Sequence, residues 1–277
     1  MPELPEAETI ARILHTQLAG KTVARVALRR RELLHGDRRP LNRTLTGRRV
    51  VSVTRRAKRV VFTFDPACTF IVRLGMTGRL LVSPPAASVD RHVHLRMWFR
   101  ETDEELRFRD VRRFGDLWCI TRPEHADDPA LGRLGPEPLE LAPPTFAALL
   151  KRQRPIKSLL LDQSIIAGLG NIYCDEALHA AGIHPRTPAR LLDAPAAARL
   201  LRAIKSVLRR SIRYGGTTFL DYRTPTGDTG AFYARLRVYQ RRDQPCHKCG
   251  TPIERIRLVG RSTFFCPRCQ TRKTKAE

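Results

Sequence analysis

The sequence of 277 residues is long enough to form two domains, each with a hydrophobic core of its own. Lysine and arginine number 51 against 27 acidic residues, and the resulting charge of +24 predicts a polyanionic partner, with nucleic acid favoured. No apolar run is long enough to span a membrane and the amino terminus lacks a signal-peptide pattern, so we expect a cytoplasmic protein with no membrane partner. In that compartment the seven cysteines should be reduced or bound to metal.

The first residues combine a proline with closely spaced carboxylates. Removal of Met1 would leave Pro2 with a free secondary amine, whose pKa of about 8 makes it a better nucleophile at neutral pH than a lysine. Glu3 is the next residue and could exchange protons during catalysis. The same stretch also fits an ordinary helix start with Pro5 in the first turn, but that interpretation leaves Pro2 and Glu3 without a role.

A helix and a set of short strands are predicted for the first half of the chain. Apolar residues at helical spacing predict the helix over residues 5–18, and Gly20 follows as a stop. Short β-rich runs then alternate with Gly, Pro or charged turns, which is typical of an antiparallel sandwich or barrel. The predicted strands are 22–27, 50–54, 60–64, 70–74, 79–82, 93–99, 106–108 and 116–120.

The second half is predicted to be helical. A proline-rich and acidic stretch at 123–144 indicates a linker. Residues 162–170 contain two glycines before a helix, which suits either phosphate binding through backbone amides or a plain helix–helix connection. Residues 215–230, rich in Gly and Thr, predict either a lid over a site or a disordered connector. The predicted helices are 145–151, 156–161, 171–181 and 195–214.

Four cysteines near the carboxyl terminus form two closely spaced pairs. Two residues separate Cys246 from Cys249 and Cys266 from Cys269, and a hairpin would bring the pairs together. Four thiolates make a closed tetrahedral site without an open position for water, so we predict one structural Zn²⁺. His247 is surplus to such a site. The remaining cysteines lie in apolar sequence and are expected to be buried packing residues: Cys68, Cys119 and Cys174.

These features together resemble the formamidopyrimidine-DNA glycosylase family, which also contains endonuclease VIII. The motifs that carry the resemblance cover almost the whole chain: MPELPEAE at 1–8, RAK at 56–58, LGMTGRL at 74–80, RRFG at 112–115, IKSLLLDQ at 156–163, AGLGNIYCDEAL at 167–178, GGTT at 215–218 and GRSTFFCPRCQ at 260–270. The resemblance implies an α+β multidomain fold. Its expected parts are a catalytic antiparallel β-sandwich with an N-terminal helix (1–130), a helix-two-turn-helix DNA-binding domain with a lid loop (131–235) and a four-cysteine zinc-finger hairpin (236–277).

The resemblance implies a bifunctional DNA glycosylase and abasic-site lyase of base excision repair. The amine of Pro2 would attack C1′ of a damaged nucleotide flipped out of the duplex into a cleft, and departure of the base would leave a Schiff base. Glu3 would move protons at the opening sugar, and Glu6 would be a second carboxylate that holds the site. Lys58 would assist β-elimination, and Arg261 at the finger tip would assist δ-elimination.

A set of DNA contacts is also implied. Met76, Arg112 and Phe114 would fill the space left by the flipped nucleotide and contact the orphaned base. Several polar residues would contact the phosphates of the DNA backbone and make binding sensitive to salt: His92, Arg112, Arg152, Lys157 and Asn171. His94 is a less favoured substitute for His92. The chain departs from the family pattern at three places, where we expect altered DNA contacts or an altered lesion spectrum: Arg59, Arg73 and Phe219-Leu220.

The sequence leaves three functions to be considered. The Leu4-Pro5-Glu6 opening and the Arg-Ser-Thr-Phe-Phe segment favour the branch that acts on oxidised purines, namely 8-oxoguanine and formamidopyrimidines. An endonuclease VIII-like enzyme for oxidised pyrimidines is one alternative. A zinc-finger protein that binds DNA without catalysis is the other, and it leaves Pro2, Glu3 and Lys58 without a role. The expected partner is double-stranded DNA with oxidised bases or abasic sites, bound by a monomer at the nucleoid of a bacterial cytoplasm.

Overall fold

The chain forms two compact units, as seen in a computed structural model. The first unit comprises Met1–Arg133 with Tyr214–Tyr233, and the second comprises Leu134–Arg213 with Ala234–Glu277. Within these units the structure describes residues 2–36, 39–121, 133–219 and 221–272. No helix among those residues is both long enough and apolar enough to cross a membrane.

The segment from Tyr214 to Tyr233 follows the helical part of the chain but belongs to the first unit. Its backbone is bonded there, since the Val82 amide donates to the Pro225 carbonyl at 2.9 Å. The sequence had suggested a lid or a disordered connector for this region. The division into three domains stays a prediction, and its boundary at residue 130 and the first part of the predicted linker, residues 123–132, lie outside the described residues, as does Leu220.

Helix α1, Leu4–Leu18, opens the first unit and agrees with the predicted helix. A proline in its first turn has the backbone angle that a helix requires, and the chain leaves the helix at Ala19 and Gly20. The apolar residues at helical spacing are buried, among them Ile10, Leu14 and Leu18. The helix is therefore fixed to the unit along one face.

Nine strands and a short α-helix follow in the described part of the first unit. They are β1 Val23–Leu28, β2 Leu34–Gly36, α2 Leu41–Leu45, β3 Arg49–Arg56, β4 Arg59–Asp65, β5 Cys68–Arg73, β6 Arg79–Ser83, β7 Val93–Phe99, β8 Thr102–Arg109 and β9 Asp116–Ile120. The strands form two sheets. The four-stranded sheet has the order β1-β7-β8-β6 and is antiparallel throughout. The five-stranded sheet has the order β2-β9-β5-β4-β3, in which the β2–β9 pair is parallel and the other pairs are antiparallel.

Both sheets and α1 contribute to one hydrophobic core. Phe62 and Phe70 from the five-stranded sheet, Leu95 and Phe108 from the other sheet, and Leu14 from α1 are all buried in it. Each of the eight predicted strands is present, and β7 and β9 have the predicted bounds. The strand β2 and helix α2 were missed because they span three and five residues, too few to establish a hydrophobic period.

The second unit contains four α-helices and a hairpin in its described part. These elements are α3 Pro143–Leu149, α4 Ile156–Leu161, α5 Asn171–Ala181, α6 Ala194–Arg213, β10 Glu254–Leu258 and β11 Arg261–Phe265. Helices α5 and α6 run antiparallel, since the Tyr173 hydroxyl meets Ser211 Oγ at 2.7 Å and Arg199 Nε donates to the Ala181 carbonyl at 2.9 Å. The chain leaves α5 at Gly182, whose φ of 68° suits a helix C-terminus.

Candidate functional site

Residues 2–7 are buried at the start of α1. Pro2 precedes the helix, and Glu3 is its N-cap residue. The Glu3 amide donates to Glu6 Oε2 at 2.7 Å, while the Glu3 side chain accepts from the Glu6 amide. This reciprocal arrangement satisfies two amides that a helix start leaves unpaired, and it holds both carboxylates in place. The two interpretations of this stretch, a helix start and a reactive terminus, are therefore compatible.

A second segment completes the surroundings of Glu6. The Thr217 amide donates to Glu6 Oε1 at 2.8 Å, so each carboxylate oxygen of Glu6 binds a backbone N–H. Gly216 lies against the same carboxylate with a φ of +85°. Burial raises the pKa of the neighbouring Tyr222 hydroxyl, and the negative charge of Glu6 raises it further. The GGTT motif thus positions Glu6, a role that sequence analysis did not predict.

Replacing Gly216 with alanine should disturb this arrangement. A Cβ atom there would lie 2.9 Å from Glu6 Cγ and Oε1, so the carboxylate must move and release the Glu3 and Thr217 amides. We expect Gly216→Ala to slow single-turnover cleavage of an abasic-site duplex at least about 10-fold, because a small misplacement of site groups has effects up to about 100-fold.

Gly227→Ala is the matched control for this experiment. Gly227 lies in the same segment with a φ of +91°, yet a Cβ there would meet no atom of the described residues within 4 Å. Both variants carry the backbone strain, of about 1–3 kcal/mol, and only the first displaces Glu6. Equal cleavage rates in the two variants would contradict the positioning role.

Lys58 lies in the two-residue turn between β3 and β4. The preceding Ala57 has a φ of 54°, and the strands pair up to the turn, with Arg56 opposite Arg59. Burial lowers the pKa of the Arg59 guanidinium to about 10, and the nearby charges of Arg73 and Arg56 add to this effect. The two departures from the family pattern, Arg59 and Arg73, therefore concentrate positive charge next to the Lys58 turn.

The three predicted void-filling side chains lie together in the first unit. Arg112 Nη1 is 3.5 Å from Met76 Sδ, and the Arg112 guanidinium lies 4.5 Å from the centre of the Phe114 ring. Met76 and Phe114 are 41% and 48% exposed, although apolar residues of this size are commonly buried. Their exposure is what a group that inserts into a base stack requires.

Asp110 holds this group in place, and sequence analysis missed it. Its side chain is fully buried and accepts from the Thr77 hydroxyl through Oδ1 and from the Gly115 amide through Oδ2. Thr77 Oγ1 in turn accepts from the Arg112 amide at 3.1 Å. Gly75 lets its own backbone lie close to the backbone of Phe114, because a Cβ at residue 75 would be only 2.5 Å from the Phe114 carbonyl. A buried aspartate in a charged stretch has no local pattern that would reveal this role.

One predicted DNA contact was assigned to His92, with His94 as the less favoured candidate. His94 is buried, and its Nε2 is 2.8 Å from the Asp110 carbonyl oxygen, which gives it a structural role. His92 is half-buried, with its amide bonded to Asp90 Oδ1 and its Nε2 accepting from Arg91 Nε at 3.2 Å. His94 is thus held by a bond inside the first unit, and the DNA contact of His92 stays a prediction.

The predicted DNA contacts of the second unit differ in accessibility. Arg152 is exposed. Asn171 is the first residue of α5, and its Nδ2 donates to the Ser262 carbonyl of the finger at 2.9 Å. Arg261 is exposed and directly follows the two-residue turn of the β10–β11 hairpin. The helix start and the hairpin tip are thus joined through adjacent residues.

Lys157 is fully buried, which differs from the predicted grip on the DNA backbone. Its ammonium pairs with Asp175 Oδ1 at 2.7 Å and donates to Thr263 Oγ1 at 2.8 Å and the Ser262 carbonyl at 3.3 Å. Burial raises the pKa of Asp175 to about 7, with the charge of Lys157 as the largest opposing effect. This placement argues against a direct phosphate contact by Lys157 and for an indirect role through the finger.

Two neighbouring carboxylates of α5 bind the finger backbone. Asp175 Oδ2 accepts from the Phe264 amide at 2.9 Å, within strand β11. Glu176 accepts hydrogen bonds from three successive amides that precede the finger. Burial raises the pKa of Glu176, although these hydrogen bonds lower it. The three donors are Arg237, Val238 and Tyr239. Helix α5 therefore fixes both the approach to the finger and its second strand.

The four finger cysteines converge as predicted. The sulfur atoms all lie within 4.8 Å of one another. The Cys249 sulfur is 3.5 Å from Cys266 and 3.4 Å from Cys269, and the Cys246 sulfur is 4.0 Å from Cys269. Four thiolates around one Zn²⁺ would be separated by about 3.8 Å, since each Zn–S bond is about 2.3 Å long. The site fits one structural zinc ion.

Three family profiles match successive parts of this chain. Residues 1–117 match the profile of the formamidopyrimidine-DNA glycosylase N-terminal domain, and residues 134–222 match that of the formamidopyrimidine-DNA glycosylase H2TH domain. Residues 243–272 match the zinc finger found in FPG and IleRS. Together these matches cover the predicted catalytic, helical and finger regions.

Relatives and solved structures agree over the full length. A formamidopyrimidine-DNA glycosylase of Synechococcus sp. is 42% identical, over 98% of this chain and 99% of the relative. The crystal structure of the MutM (Fpg) protein from Thermus thermophilus has a TM-score of 0.87 and 40% identity, and covers 99% of this chain and 100% of its own.

A third similar protein has been solved with DNA. A mutant of the Lactococcus lactis Fpg, in complex with Fapy-dG containing DNA, has a TM-score of 0.90 and 32% identity, over 98% of this chain and 100% of its own. Complexes of the Lactococcus lactis protein with abasic-site DNA and with oxidised-pyrimidine DNA each have a TM-score of 0.89 and 32% identity. The chain belongs to the formamidopyrimidine-DNA glycosylase family.

Proposed function

We propose that this chain removes oxidised purines from double-stranded DNA through a Schiff base at Pro2 and then cleaves the strand by β,δ-elimination. The chain is a DNA-formamidopyrimidine glycosylase of base excision repair with one structural zinc ion, as its family, relatives and four-cysteine cluster indicate. The observation that carries the mechanism is the buried Pro2-Glu3 terminus, where Glu3 and Glu6 bind each other's amides at the start of α1.

The proposed chemistry begins at the terminal amine. After Met1 is removed, the Pro2 nitrogen forms a bond to C1′ as the C1′–base bond breaks, and the proton that the nitrogen loses passes to the departing base. The sugar ring then opens as Glu3, in its protonated form, gives its proton to the ring oxygen and becomes a carboxylate. The product is an iminium ion, whose positive charge makes the C2′ proton acidic. One amine can therefore serve both base removal and strand cleavage.

Two eliminations then break the strand. Loss of the C2′ proton expels the 3′-phosphate with assistance from Lys58, and a second elimination expels the 5′-phosphate with assistance from Arg261. Hydrolysis of the iminium releases the sugar remnant and restores the amine, which leaves a one-nucleotide gap flanked by phosphates. Met76, Arg112 and Phe114 would occupy the vacated stack, supported by the exposure of this group and its contacts with one another.

Borohydride reduction in the presence of abasic-site DNA tests this mechanism. Only an iminium is converted to a stable covalent adduct, which appears as a shifted band on a denaturing gel. We expect the wild-type chain to be trapped, and trapping to fall at least about 10³-fold in a variant that retains Met1, because the nucleophile is blocked. A protein that binds DNA without catalysis would give no adduct at all.

Lys58→Met is the matched control, since it removes the alternative amine and leaves Pro2 intact. We expect this variant to be trapped on abasic DNA and to cleave it slowly. If Lys58→Met abolishes the adduct while the Met1-retaining variant forms it at full yield, lysine is the nucleophile and the assignment to Pro2 is wrong.

The lesion preference needs a separate assay. Similar proteins are bound to DNA with Fapy-dG, with carbocyclic 8-oxo-G and with an oxidised pyrimidine, so both lesion classes should be compared. We expect faster excision of 8-oxoguanine than of thymine glycol from matched duplexes. The reverse preference would support the endonuclease VIII-like alternative.

We further propose that the chain acts as a monomer, and that it acts on the chromosome in the bacterial cytoplasm. The bacterial origin of its relatives supports the proposed compartment.

A further inference from the structure

A histidine outside the finger contacts one of the four cysteines. His179 lies near the end of α5, and its Nε2 is 3.6 Å from the Cys246 sulfur. The two residues are separated by 67 positions in the sequence, so no local motif links them. The ring is half-buried between helix and finger. This contact has no part in the four-cysteine set or in the chemistry proposed above.

The chemistry of a zinc-bound thiolate fixes the direction of this hydrogen bond. A cysteine that binds zinc has lost its proton, so the sulfur can only accept. The ring nitrogen that faces it must therefore carry the hydrogen. The Cys246 sulfur also lies 3.4 Å from the Lys248 amide, and the Cys266 sulfur lies 3.5 Å from the Cys269 amide. Four thiolates around one zinc ion have a net charge of about −2, which such donors offset.

We propose that His179 belongs to the zinc site as a hydrogen-bond donor to Cys246 and that it increases the affinity of the finger for zinc. The residue also fixes the metal site to α5. Partners of this kind orient a ligand and tune the metal, and their loss commonly weakens metal binding about 10–100-fold.

The position of His179 on α5 supports this assignment. His179 follows Asp175 by four residues and Glu176 by three, and side chains with these spacings share one face of a helix. Asp175 and Glu176 bind the finger backbone, as described above. The same face of α5 therefore contacts the second strand, the entry segment and a metal ligand of the finger.

His247 provides an internal comparison. It lies between Cys246 and Cys249 in the sequence, so proximity along the chain would make it the better candidate. In the structure it is exposed, and its Nδ1 is 2.6 Å from Arg237 Nη1. His247→Phe thus changes the same residue type in the finger and leaves the hydrogen bond to Cys246 intact.

Zinc affinity measured by competition with a chromophoric chelator tests the proposal. We expect His179→Phe to bind zinc about 10-fold more weakly than wild type, and His247→Phe to be unchanged. His179→Gln offers an amide N–H in place of the imidazole and should retain most of the affinity. Circular dichroism in excess zinc shows whether each variant folds, and no readout depends on DNA cleavage.

Cobalt substitution gives a second readout on the same proteins. Removing a donor from a thiolate makes its sulfur more electron-rich, so the thiolate-to-cobalt absorption should move to longer wavelength in His179→Phe alone. Wild-type zinc affinity in His179→Phe would overturn the proposal. Equal losses of zinc affinity in His179→Phe and His179→Gln would also overturn it. A third contrary result would be a spectrum of the cobalt-substituted wild-type protein that indicates three thiolates and one imidazole.

Discussion

Cys266→Ala is expected to abolish stable zinc binding and to unfold the finger. The buried residues of the finger core are few, and two of them are zinc ligands: Val238, Cys246, Ile253, Phe264 and Cys266. Structural zinc contributes about 10–16 kcal/mol of apparent binding free energy in isolated fingers, far more than such a core can supply. The variant should contain less than one zinc per chain by elemental analysis.

DNA binding should be lost with the finger. Arg261 lies at the hairpin tip, and the Ser262 carbonyl is the partner of the Asn171 side chain. We therefore expect the affinity of Cys266→Ala for an abasic-site duplex to fall at least about 100-fold in a fluorescence titration, since several phosphate contacts disappear together.

Cys174→Ala is the matched control for this experiment. Cys174 is fully buried in α5 of the same unit and is not among the clustered cysteines. Its loss should leave zinc content and DNA affinity unchanged and have a small effect on stability. One zinc per chain and normal DNA affinity in Cys266→Ala would contradict a structural role for the metal.

Lys157→Met is expected to lower the free energy of unfolding of the second unit by about 3–5 kcal/mol. The substitution leaves Asp175 without its cation in an environment where both side chains are fully buried. Lys157→Met with Asp175→Asn removes both charges and should recover most of the loss. Urea unfolding of the four combinations gives the coupling between the two residues, and Lys205→Met, at a partly exposed lysine of α6, is the control.

The effect of Lys157→Met should depend on pH. Burial raises the pKa of Asp175 to about 7, and Lys157 opposes this rise, so the pKa is higher still without the lysine. A carboxyl group with a raised pKa stabilises the fold at low pH, and this contribution is lost as pH rises from the unfolded value of 3.8 through the folded pKa. The single variant should therefore be weakest above pH 7, and the double variant should lack this dependence.

Salt dependence separates the two roles considered for Lys157. A residue that contacts a phosphate contributes about 0.9 to the slope of log affinity against log salt concentration. If Lys157 acts through the finger, the double variant should bind DNA with the wild-type slope. A slope reduced by about one in both variants would restore the direct phosphate contact that sequence analysis predicted.

Much of the fold was predictable because its signals are local. The helices at 156–161 and 171–181 and the strands at 93–99 and 116–120 have the predicted bounds. The parallel pairing of β2 with β9 was not predictable, since it joins residues about 80 positions apart through a three-residue strand. The assignment of residues 214–233 to the first unit also depends on distant contacts, such as that between Thr217 and Glu6.

The candidate site also has features that local sequence patterns predict and others that depend on distant contacts. The cysteine spacing predicted the zinc cluster, and the family resemblance grouped Met76, Arg112 and Phe114, two of which are in contact through the Arg112 guanidinium and the Met76 sulfur. The family resemblance implied a contact between Lys157 and the DNA backbone, on the match of the IKSLLLDQ motif at 156–163. Its buried partner Asp175 lies on another helix, and nothing in the spacing of the two residues links them. Three-dimensional contacts alone reveal the residues that position others.

The bonds made by Asp110 have a mechanical consequence for lesion search. One buried carboxylate joins the loop of Thr77 to that of Gly115, so the proposed void-filling side chains of Met76, Arg112 and Phe114 are held together before DNA binds. Ordering a flexible side chain on binding costs about 0.5–1.5 kcal/mol. If these side chains insert into the base stack as proposed, their order in advance would avoid most of that entropy loss at each base pair, and the rate of lesion search would depend on the buried Asp110.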